Sequence, residues 1–126
     1  MTWRDDSHTR ERGNHGEDLA VDWLERHGYR TVARNVRTRA GEIDVVAWER
    51  EILCFLEIKA RASRTYGPAV AAVPITKQRR LAHAAASYLA HRPTDAPCRF
   101  DVLAMDLEPG GAWRFTLIRD AFQVPG

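Results

Sequence analysis

The chain has 126 residues, of which 44% are hydrophobic and 29% are charged. This length fits one domain with a buried core, and the composition is that of a soluble globular protein. No apolar run reaches the about 18 residues that a membrane-spanning helix needs, and the polar first residues do not resemble a signal peptide. We therefore expect a cytoplasmic protein with no membrane partner.

The net charge of +2 hides an uneven distribution along the chain. Residues 1–57 carry −3, residues 58–100 carry +7 and residues 101–126 carry −2, which together give +2. A concentrated basic segment suits a polyanion such as nucleic acid, although the solvated face of a helix produces the same pattern. Charge alone leaves both interpretations open.

The first predicted element is a helix from about Asn14 to His27, with Gly28 as its stop signal. The polar residues 1–12 before it are expected to form a disordered tail, and residues 13–126 a single domain. Glu17 lies at the border of the apolar stripe of this helix. Its carboxylate either reaches into a neighbouring cleft or stabilises the helix N-terminus through the macrodipole. The predicted inner face consists of Leu19, Ala20, Trp23, Leu24 and His27.

The next segments predict a strand and then a β-hairpin. Residues 29–37 form the strand, with an irregular middle, and residues 38–41 form a turn. Two apolar runs between residues 41 and 61 are separated by a polar tip, which is typical of a hairpin. A two-residue turn at Arg50 and Glu51 sets Asp44 opposite Glu57 and Glu42 opposite Lys59. Strand alternation places Ile43, Val45 and Ala47 on one face and Glu42, Asp44, Val46 and Trp48 on the other.

The charged residues that interrupt these runs can form a metal site. Two close carboxylates repel each other, and a divalent cation such as Mg²⁺ removes that repulsion. Asp44 and Glu57 could bind the ion, with the carbonyl of Ile58 as a third ligand. Lys59 could orient or deprotonate an attacking water, which is a combination suited to phosphodiester hydrolysis. The same Glu-x-Lys pattern also fits a solvated strand face or a cross-strand ion pair.

A loop or short helix over residues 62–74 precedes a second predicted helix, residues 75–91. Its predicted inner face consists of Gln78, Leu81, Ala82, Ala85 and Leu89. Lys77, Arg79 and Arg80 crowd its first turns, where cations oppose the macrodipole. A helix start with this many basic residues suits a phosphate.

Two further strands are predicted at residues 99–106 and 113–118, around a turn at residues 109–111. Asp101 interrupts the first of them and either faces solvent or anchors a nearby arginine. Cys54 and Cys98 have no spacing typical of zinc ligands, so we expect both to be core or near-core thiols.

The predicted order α-β-β-β-α-β-β, with Glu17, Asp44 and Glu57-Ile58-Lys59 on successive elements, resembles the restriction-endonuclease-like PD-(D/E)xK fold. That fold is an α/β fold with a mixed central sheet flanked by helices. The acidic and lysine quartet is similar to that of archaeal Holliday-junction resolvases. Over about residues 13–106, the chain resembles the bacterial YraN-like family, through Gly16-Glu17, Leu19-Ala20, Gly28, Asn35-Val36-Arg37, Gly41-Glu42-Ile43-Asp44, Phe55 to Arg61, Tyr66-Gly67 and Lys77-Gln78.

The resemblance implies roles for individual residues. Asp44 and Glu57 would bind Mg²⁺, for which Mn²⁺ can substitute, Lys59 would attend the attacking water, and Glu17 would complete the acidic cluster. Lys77 or Gln78 would lie near the site. DNA is expected to contact Arg37, Arg39, Arg61, Arg64, Lys77, Gln78 and Arg80. Resolvases of this fold act as homodimers, so a homodimer is expected too.

The leading hypothesis from the sequence is thus a Mg²⁺-dependent endonuclease that acts on structured or branched DNA. One alternative is a nucleic-acid-binding module that keeps the fold without cleaving. The other is an interaction protein in which the same charges form an ion-pair network.

Overall fold

The computed structural model describes residues 7–61 and 73–123, with side chains from residue 16 onward. Within these residues, a five-stranded mixed sheet carries a helix on each face. The elements are α1 (Ser7–Arg26), β1 (Tyr29–Arg37), β2 (Glu42–Glu49), β3 (Ile52–Arg61), α2 (Ile75–His91), β4 (Cys98–Leu107) and β5 (Trp113–Ile118). The predicted α/β class and element order are confirmed. Most of the predicted loop, residues 62–72, lies outside the described residues.

The strands lie in the order β1-β2-β3-β4-β5, and β3 and β4 are parallel while the other neighbours are antiparallel. A parallel pair needs a long crossover connection, and α2 lies within it. The predicted hairpin register is confirmed from the pair Glu49–Ile52 to the pair Val45–Leu56. Arg50, in the tight turn, has a positive φ of 54°.

The central strands bury both of their faces, because alternate side chains pack against different helices. Ala20 and Leu24 of α1 pack against Val45, Leu56 and Leu103. On the other face, Leu81, Ala85 and Tyr88 of α2 pack against Val46 and Phe55. The apolar runs of β2 and β3 are therefore nearly continuous.

Among the described residues, no helix combines the length and apolar content that crossing a bilayer requires.

The first helix departs from its prediction at its start. It begins at Ser7 rather than near Asn14, so residues 7–12 are helical instead of disordered, while residues 1–6 lie outside the described residues. Once a packed helix has nucleated, each added residue gains a hydrogen bond without a new nucleation cost, so polar residues can extend it. The end is close to the prediction, because α1 stops at Arg26 and Gly28 follows with a φ of +99°.

The buried stripes of both helices are rotated from the predicted ones. In α1 the buried positions include Glu17, Ala20, Val21 and Leu24, whereas Leu19 and Trp23 are half-buried and His27 is exposed. In α2 they are Leu81, Ala84, Ala85 and Tyr88, whereas Gln78, Ala82 and Leu89 are half-buried. Apolar residues outnumber the positions that the sheet can cover, so periodicity alone does not choose the covered face.

A polar network closes the sheet at the hairpin-tip end. The carboxylate of Asp101 accepts hydrogen bonds from Arg99, Tyr29 and the backbone N–H of Asp120. Arg99 also donates to Glu49 at 2.6 Å. Asp101 therefore anchors an arginine, which was one of its two predicted roles.

The two thiols lie beside this network in different surroundings. Cys54 is buried, as predicted, and this burial raises the pKa of its thiol to about 12. Cys98 is exposed, so its predicted near-core position is wrong. It is the first residue of β4, directly after the turn, where the strand has not yet entered the layer between the helices.

Glu49 should make the stability of the protein depend on acid pH. Arg119 donates to both carboxylate oxygens of Glu49 and Arg99 donates to one, which lowers the pKa of Glu49 from about 4.5 to about 2. A carboxyl with a lowered pKa stabilises the fold above its unfolded value, and this contribution is lost as pH falls towards 2.

We expect Glu49→Gln to be on the order of 2 kcal/mol less stable at pH 7 and to lose less stability than the wild type between pH 5 and about 2. Urea denaturation across that pH range measures both effects. Glu25→Gln, at an exposed position of α1, is the matched control. Parallel pH profiles for wild type and Glu49→Gln would contradict the prediction.

Candidate active site

The candidate site lies where β2 and β3 separate. Their ladder ends at the pair Val45–Leu56, while Glu42 and Ile43 keep their partners on β1. The carboxylate of Asp44 reaches across to β3, where its Oδ2 accepts a hydrogen bond from the backbone N–H of Ile58 at 2.8 Å. The N–H of Ile58, the residue after Glu57, is thus bonded to the side-chain oxygen of Asp44 instead of to a backbone carbonyl of β2.

This separation corrects two expectations from the hairpin pattern. The predicted pairs of Asp44 with Glu57 and of Glu42 with Lys59 lie beyond the end of the ladder. Glu42 instead lies opposite Arg37, and the two form an ion pair at 3.4 Å.

The strict alternation of faces is also interrupted at Asp44. Ile43 packs with Val46 on the α2 side, although it was predicted to share the opposite face with Val45 and Ala47. The carboxylate of Asp44 is inserted at the point where β2 and β3 part, so the strand does not continue as a regular ribbon there.

Both carboxylates of the site are buried. Asp44 is 1% exposed and Glu57 is 3% exposed. A buried carboxylate is costly unless a charge or hydrogen-bond donor compensates it. Glu57 Oε2 forms an ion pair with Nζ of Lys77, which lies in the first turn of α2. The structure therefore places Lys77, one of the two α2 residues expected near the site, in contact with Glu57.

Lys59 lies two residues after Glu57 on β3, so the two side chains share the face that packs against α2. Its side chain is half-buried. Burial lowers the pKa of the Lys59 ammonium, the nearby charge of Lys77 lowers it further, and Glu57 acts in the opposite direction. A lysine with a lowered pKa exchanges a proton more readily near neutral pH than an ordinary surface lysine.

Glu17 is held beside the same region by β1. Its Oε1 accepts hydrogen bonds from Arg34 at 3.1 and 3.2 Å and from Asn35 Nδ2 at 2.6 Å. It lies well inside α1, which begins at Ser7, so its predicted alternative as a helix N-terminal charge is wrong. Its carboxylate reaches into the fold instead.

Asn35 is close to Asp44 along the sheet, because its neighbours in β1 pair with the residues on both sides of Asp44. Between residues 16 and 61 and between 73 and 123, no group of three or more acidic, histidine or cysteine side chains could hold a metal ion. Mg²⁺ usually needs only one or two carboxylates from the protein, with waters and phosphate completing its coordination.

The donor set present fits a hard divalent cation. Asp44 and Glu57 offer buried carboxylate oxygens on neighbouring strands, and oxygen is the ligand that Mg²⁺ prefers. The ammonium of Lys77 on Glu57 shows that this carboxylate accommodates a cation in the fold. Asp44, Glu57 and the carbonyl of Ile58 are thus the residues that would hold the ion.

A family model described as uncharacterised protein family UPF0102 matches residues 16–105, which include Glu17, Asp44 and the segment from Glu57 to Lys59. The chain belongs to the UPF0102 family. This is the family that the sequence resembles under the name YraN-like. A UPF0102 protein of Symbiobacterium thermophilum is 46% identical over 117 residues, covering 92% of this chain and 99% of the relative.

Two further UPF0102 relatives are similar over most of this chain. One from Geobacter metallireducens is 46% identical over 99 residues, which is 78% of this chain and 81% of the relative. One from Chlorobium chlorochromatii is 40% identical over 121 residues, which is 92% of this chain and 94% of the relative. The similarity therefore extends over nearly the whole fold and is not confined to one motif.

Basic side chains of this UPF0102 protein gather beside the site. The turn at residues 38–41 packs against α2 so closely that a Cβ on Gly41 would lie 3.4 Å from Cβ of Arg80. Arg39 in this turn and Arg80 on α2 are both exposed. We call Arg37, Arg39, Lys77 and Arg80 the basic rim.

The other residues predicted to contact DNA have different surroundings. Arg61 donates to the buried Asp106 at 3.2 Å, and its side chain is 30% exposed. Gln78 donates to the carbonyl of Val73 at 2.8 Å. Arg64 lies outside the described residues.

Three contributors to this region of the UPF0102 protein were not identified from the sequence as site residues: Arg34, Asn35 and Asp106. Asn35 gave a usable signal, because asparagine adopts a positive φ more readily than most other residues, and its φ is 53°. The predicted irregular middle of β1 is confirmed at this residue and at a register shift between Thr31 and Ala33. No local signal pairs Arg34 with Glu17 or Asp106 with Arg61, because each pair joins distant parts of the chain.

Proposed function

We propose that this UPF0102 protein is a Mg²⁺-dependent endonuclease that hydrolyses phosphodiester bonds in structured or branched DNA. The observation that carries the proposal is the hydrogen bond from the N–H of Ile58 to Asp44, because it brings a buried carboxylate to the strand position beside Glu57. Lys59 follows on the same strand. Two carboxylates and a lysine on adjacent strands of a mixed sheet are what the resemblance to restriction-endonuclease-like enzymes implies.

The residues of the site have separate tasks under this proposal. Mg²⁺, when bound, supplies positive charge that stabilises a phosphodiester under attack. Asp44 and Glu57 hold the ion and keep it next to β3. Lys59, half-buried and with a lowered pKa, orients the attacking water, exchanges a proton with it and stabilises charge on the phosphate oxygens.

The basic rim supplies sequence-independent affinity for the DNA backbone. Arg80 of α2 lies against the turn that carries Arg39, and both arginines are exposed. Neutralising phosphates with such side chains releases counterions, so binding should weaken as salt rises. Four rim residues correspond to a slope of log K against log salt of about −4 or shallower on duplex DNA.

A cleavage assay on duplex, flap and four-way-junction DNA tests the proposal. We expect strand cuts with Mg²⁺ or Mn²⁺ and none with EDTA. Intact DNA across the whole panel with both metals would refute the nuclease.

Metal binding provides a readout that is independent of turnover. Losing an outer-shell partner alone costs about 10–100-fold in metal affinity, so Asp44→Asn should weaken Mn²⁺ binding by at least about tenfold. Electron paramagnetic resonance of free Mn²⁺ measures this affinity. Asp95→Asn, at an exposed turn position, is the control and should bind Mn²⁺ like the wild type.

A nucleic-acid-binding module without cleavage is the second candidate. The ion pair between Lys77 and Glu57 favours it, because it neutralises the buried carboxylate without a metal. Such a module would bind DNA equally well with EDTA and with Mg²⁺, and no metal would produce cuts.

A further inference from the structure

Lys77 sits between the buried site and the surface. Its side chain is 39% exposed, whereas the Glu57 side chain that it contacts is only 4% exposed. The ammonium therefore neutralises an interior carboxylate while part of the side chain remains in water. A lysine in this position can turn outward without repacking the core.

The position of Lys77 on its helix is otherwise unfavourable. It lies in the first turn of α2, where there is no acidic residue and where the macrodipole repels cations. The ion pair with Glu57 offsets that repulsion. Lys77 would thus lose a stabilising contact if another cation replaced it at Glu57.

A divalent ion and an ammonium compete for the same carboxylate. Like charges a few ångströms apart repel strongly in a partly buried site. Lys59, two residues after Glu57 on the same face of β3, already adds a second positive group to this region. A metal bound at Glu57 would therefore push the Lys77 ammonium away.

If the Lys77 side chain turns away from Glu57, it lies next to other members of the basic rim. Lys77 and Arg80 are three residues apart on α2, so their side chains are neighbours on the helix surface. Arg80 in turn lies against the turn that carries Arg39. An ammonium that leaves Glu57 joins these two guanidinium groups.

We propose that Lys77 is the internal counter-ion of Glu57 and that metal binding transfers it to a DNA phosphate. The inference rests on the proposed function, because it requires a metal at Glu57 and a phosphodiester on the basic rim. Metal and DNA then bind cooperatively, and by linkage each raises the affinity of the other by the same factor. The metal-free protein holds DNA less tightly because one of its rim cations is engaged inside.

The first experiment compares DNA affinity in Ca²⁺, used in place of Mg²⁺ to limit cleavage, with affinity in EDTA. Fluorescence anisotropy of a labelled four-way junction gives both dissociation constants. In the wild type we expect Ca²⁺ to tighten binding about fivefold or more. In Lys77→Gln this ratio should fall to below about twofold, since the released cation is missing.

Arg79→Gln is the matched control for this experiment. It removes the same charge from an exposed position two residues along α2, outside the basic rim. Its ratio of affinities in Ca²⁺ and EDTA should equal that of the wild type. An unchanged ratio in Lys77→Gln, or an equal reduction in Arg79→Gln, would overturn the proposal.

A double-mutant cycle in EDTA separates release of Lys77 from a general change in charge. Glu57→Gln should bind the junction several-fold more tightly than the wild type, because Lys77 no longer has a carboxylate partner. The double variant Glu57→Gln/Lys77→Gln should bind the junction no more tightly than the single variant Lys77→Gln. If the gain persists, the effect does not act through Lys77 and the proposal is wrong.

The outcomes distinguish this inference from the proposed nuclease. If the wild type cleaves DNA in Mg²⁺ but the ratio of affinities in Ca²⁺ and EDTA is unchanged in Lys77→Gln, the counter-ion transfer is rejected and the nuclease proposal stands. Metal-coupled DNA binding that depends on Lys77, without any cleavage in Mg²⁺ or Mn²⁺, supports the transfer and rejects the nuclease.

Discussion

Lys59→Met is expected to lower the single-turnover rate of DNA cleavage by about a thousandfold while the chain stays folded. In the proposed function, the Lys59 ammonium is the group on β3 that both exchanges a proton with water and stabilises charge on the phosphate. Methionine keeps the length and the apolar stem of the half-buried side chain. The backbone pairing of this position with Ala104 of β4 does not depend on the side chain.

The measurement is cleavage of a labelled junction under excess enzyme and saturating Mg²⁺, with thermal unfolding as a check of the fold. Arg79→Met is the matched control, because it removes an exposed cation near the site and should leave the rate within about threefold. Lys59→Arg separates two contributions, since arginine keeps the charge but cannot act as a base. Cleavage by Lys59→Met at the wild-type rate would exclude Lys59 from the mechanism.

Asp101→Ala is expected to reduce the free energy of unfolding by about 3–5 kcal/mol. The buried carboxylate accepts hydrogen bonds from Arg99 Nε at 2.7 Å and Nη2 at 2.8 Å. It also accepts them from the hydroxyl of Tyr29 at 2.8 Å and the N–H of Asp120 at 2.9 Å. Removing it leaves a largely buried guanidinium and a buried hydroxyl without their main partner.

Urea denaturation measures this loss. Asp95→Ala, in the exposed turn before β4, should change stability by no more than about 0.5 kcal/mol. A loss below about 1 kcal/mol for Asp101→Ala would mean that Glu49 compensates Arg99 by itself. Under conditions where the variant is folded, cleavage should persist, because Asp101 lies at the hairpin-tip end of the sheet and not at the candidate site.

The two ends of the sheet therefore differ in their polar chemistry. At the hairpin-tip end, Asp101 and Glu49 are paired with arginines and hold β1, β2, β4 and the segment after β5 together. At the other end, β2 and β3 part at Asp44, and the buried charge of Glu57 is compensated by a half-exposed lysine from α2. A cation that can leave is compatible with binding a ligand, whereas a closed network of arginines is not.

Much of the local structure could be predicted because its signals are local. The limits of α2, β1 and β5 follow from periodicity and from the glycines and prolines that flank them, and the structure confirms them. The turn at Arg50 and Glu51 made the register predictable from the pair Glu49–Ile52 to the pair Val45–Leu56, because the length of a hairpin turn sets which residues lie opposite each other. The start of α1 could not be predicted, since no apolar pattern marks helical residues that extend beyond the packed face.

The candidate site was predicted in its residue types but not in its contacts. Asp44, Glu57 and Lys59 stand out in the sequence because charges interrupt apolar strands. Whether they pair across the hairpin depends on where β2 and β3 part, after which β2 stays paired with β1 and β3 stays paired with β4. Glu17 was placed at the border of its helix stripe, but contacts with Arg34 and Asn35 put it inside.

By itself, the sequence determined the order of elements, the hairpin register next to the turn and which charged residues interrupt the apolar strands, since backbone pairing and side-chain alternation act over a few residues. Only the tertiary structure decided that Asp44 bonds to the strand position after Glu57 and that Lys77 occupies Glu57. Those contacts join residues 14 and 20 positions apart in the chain, beyond the reach of a local pattern. Their partners are selected by burial, which makes an uncompensated charge costly and which no local pattern reveals.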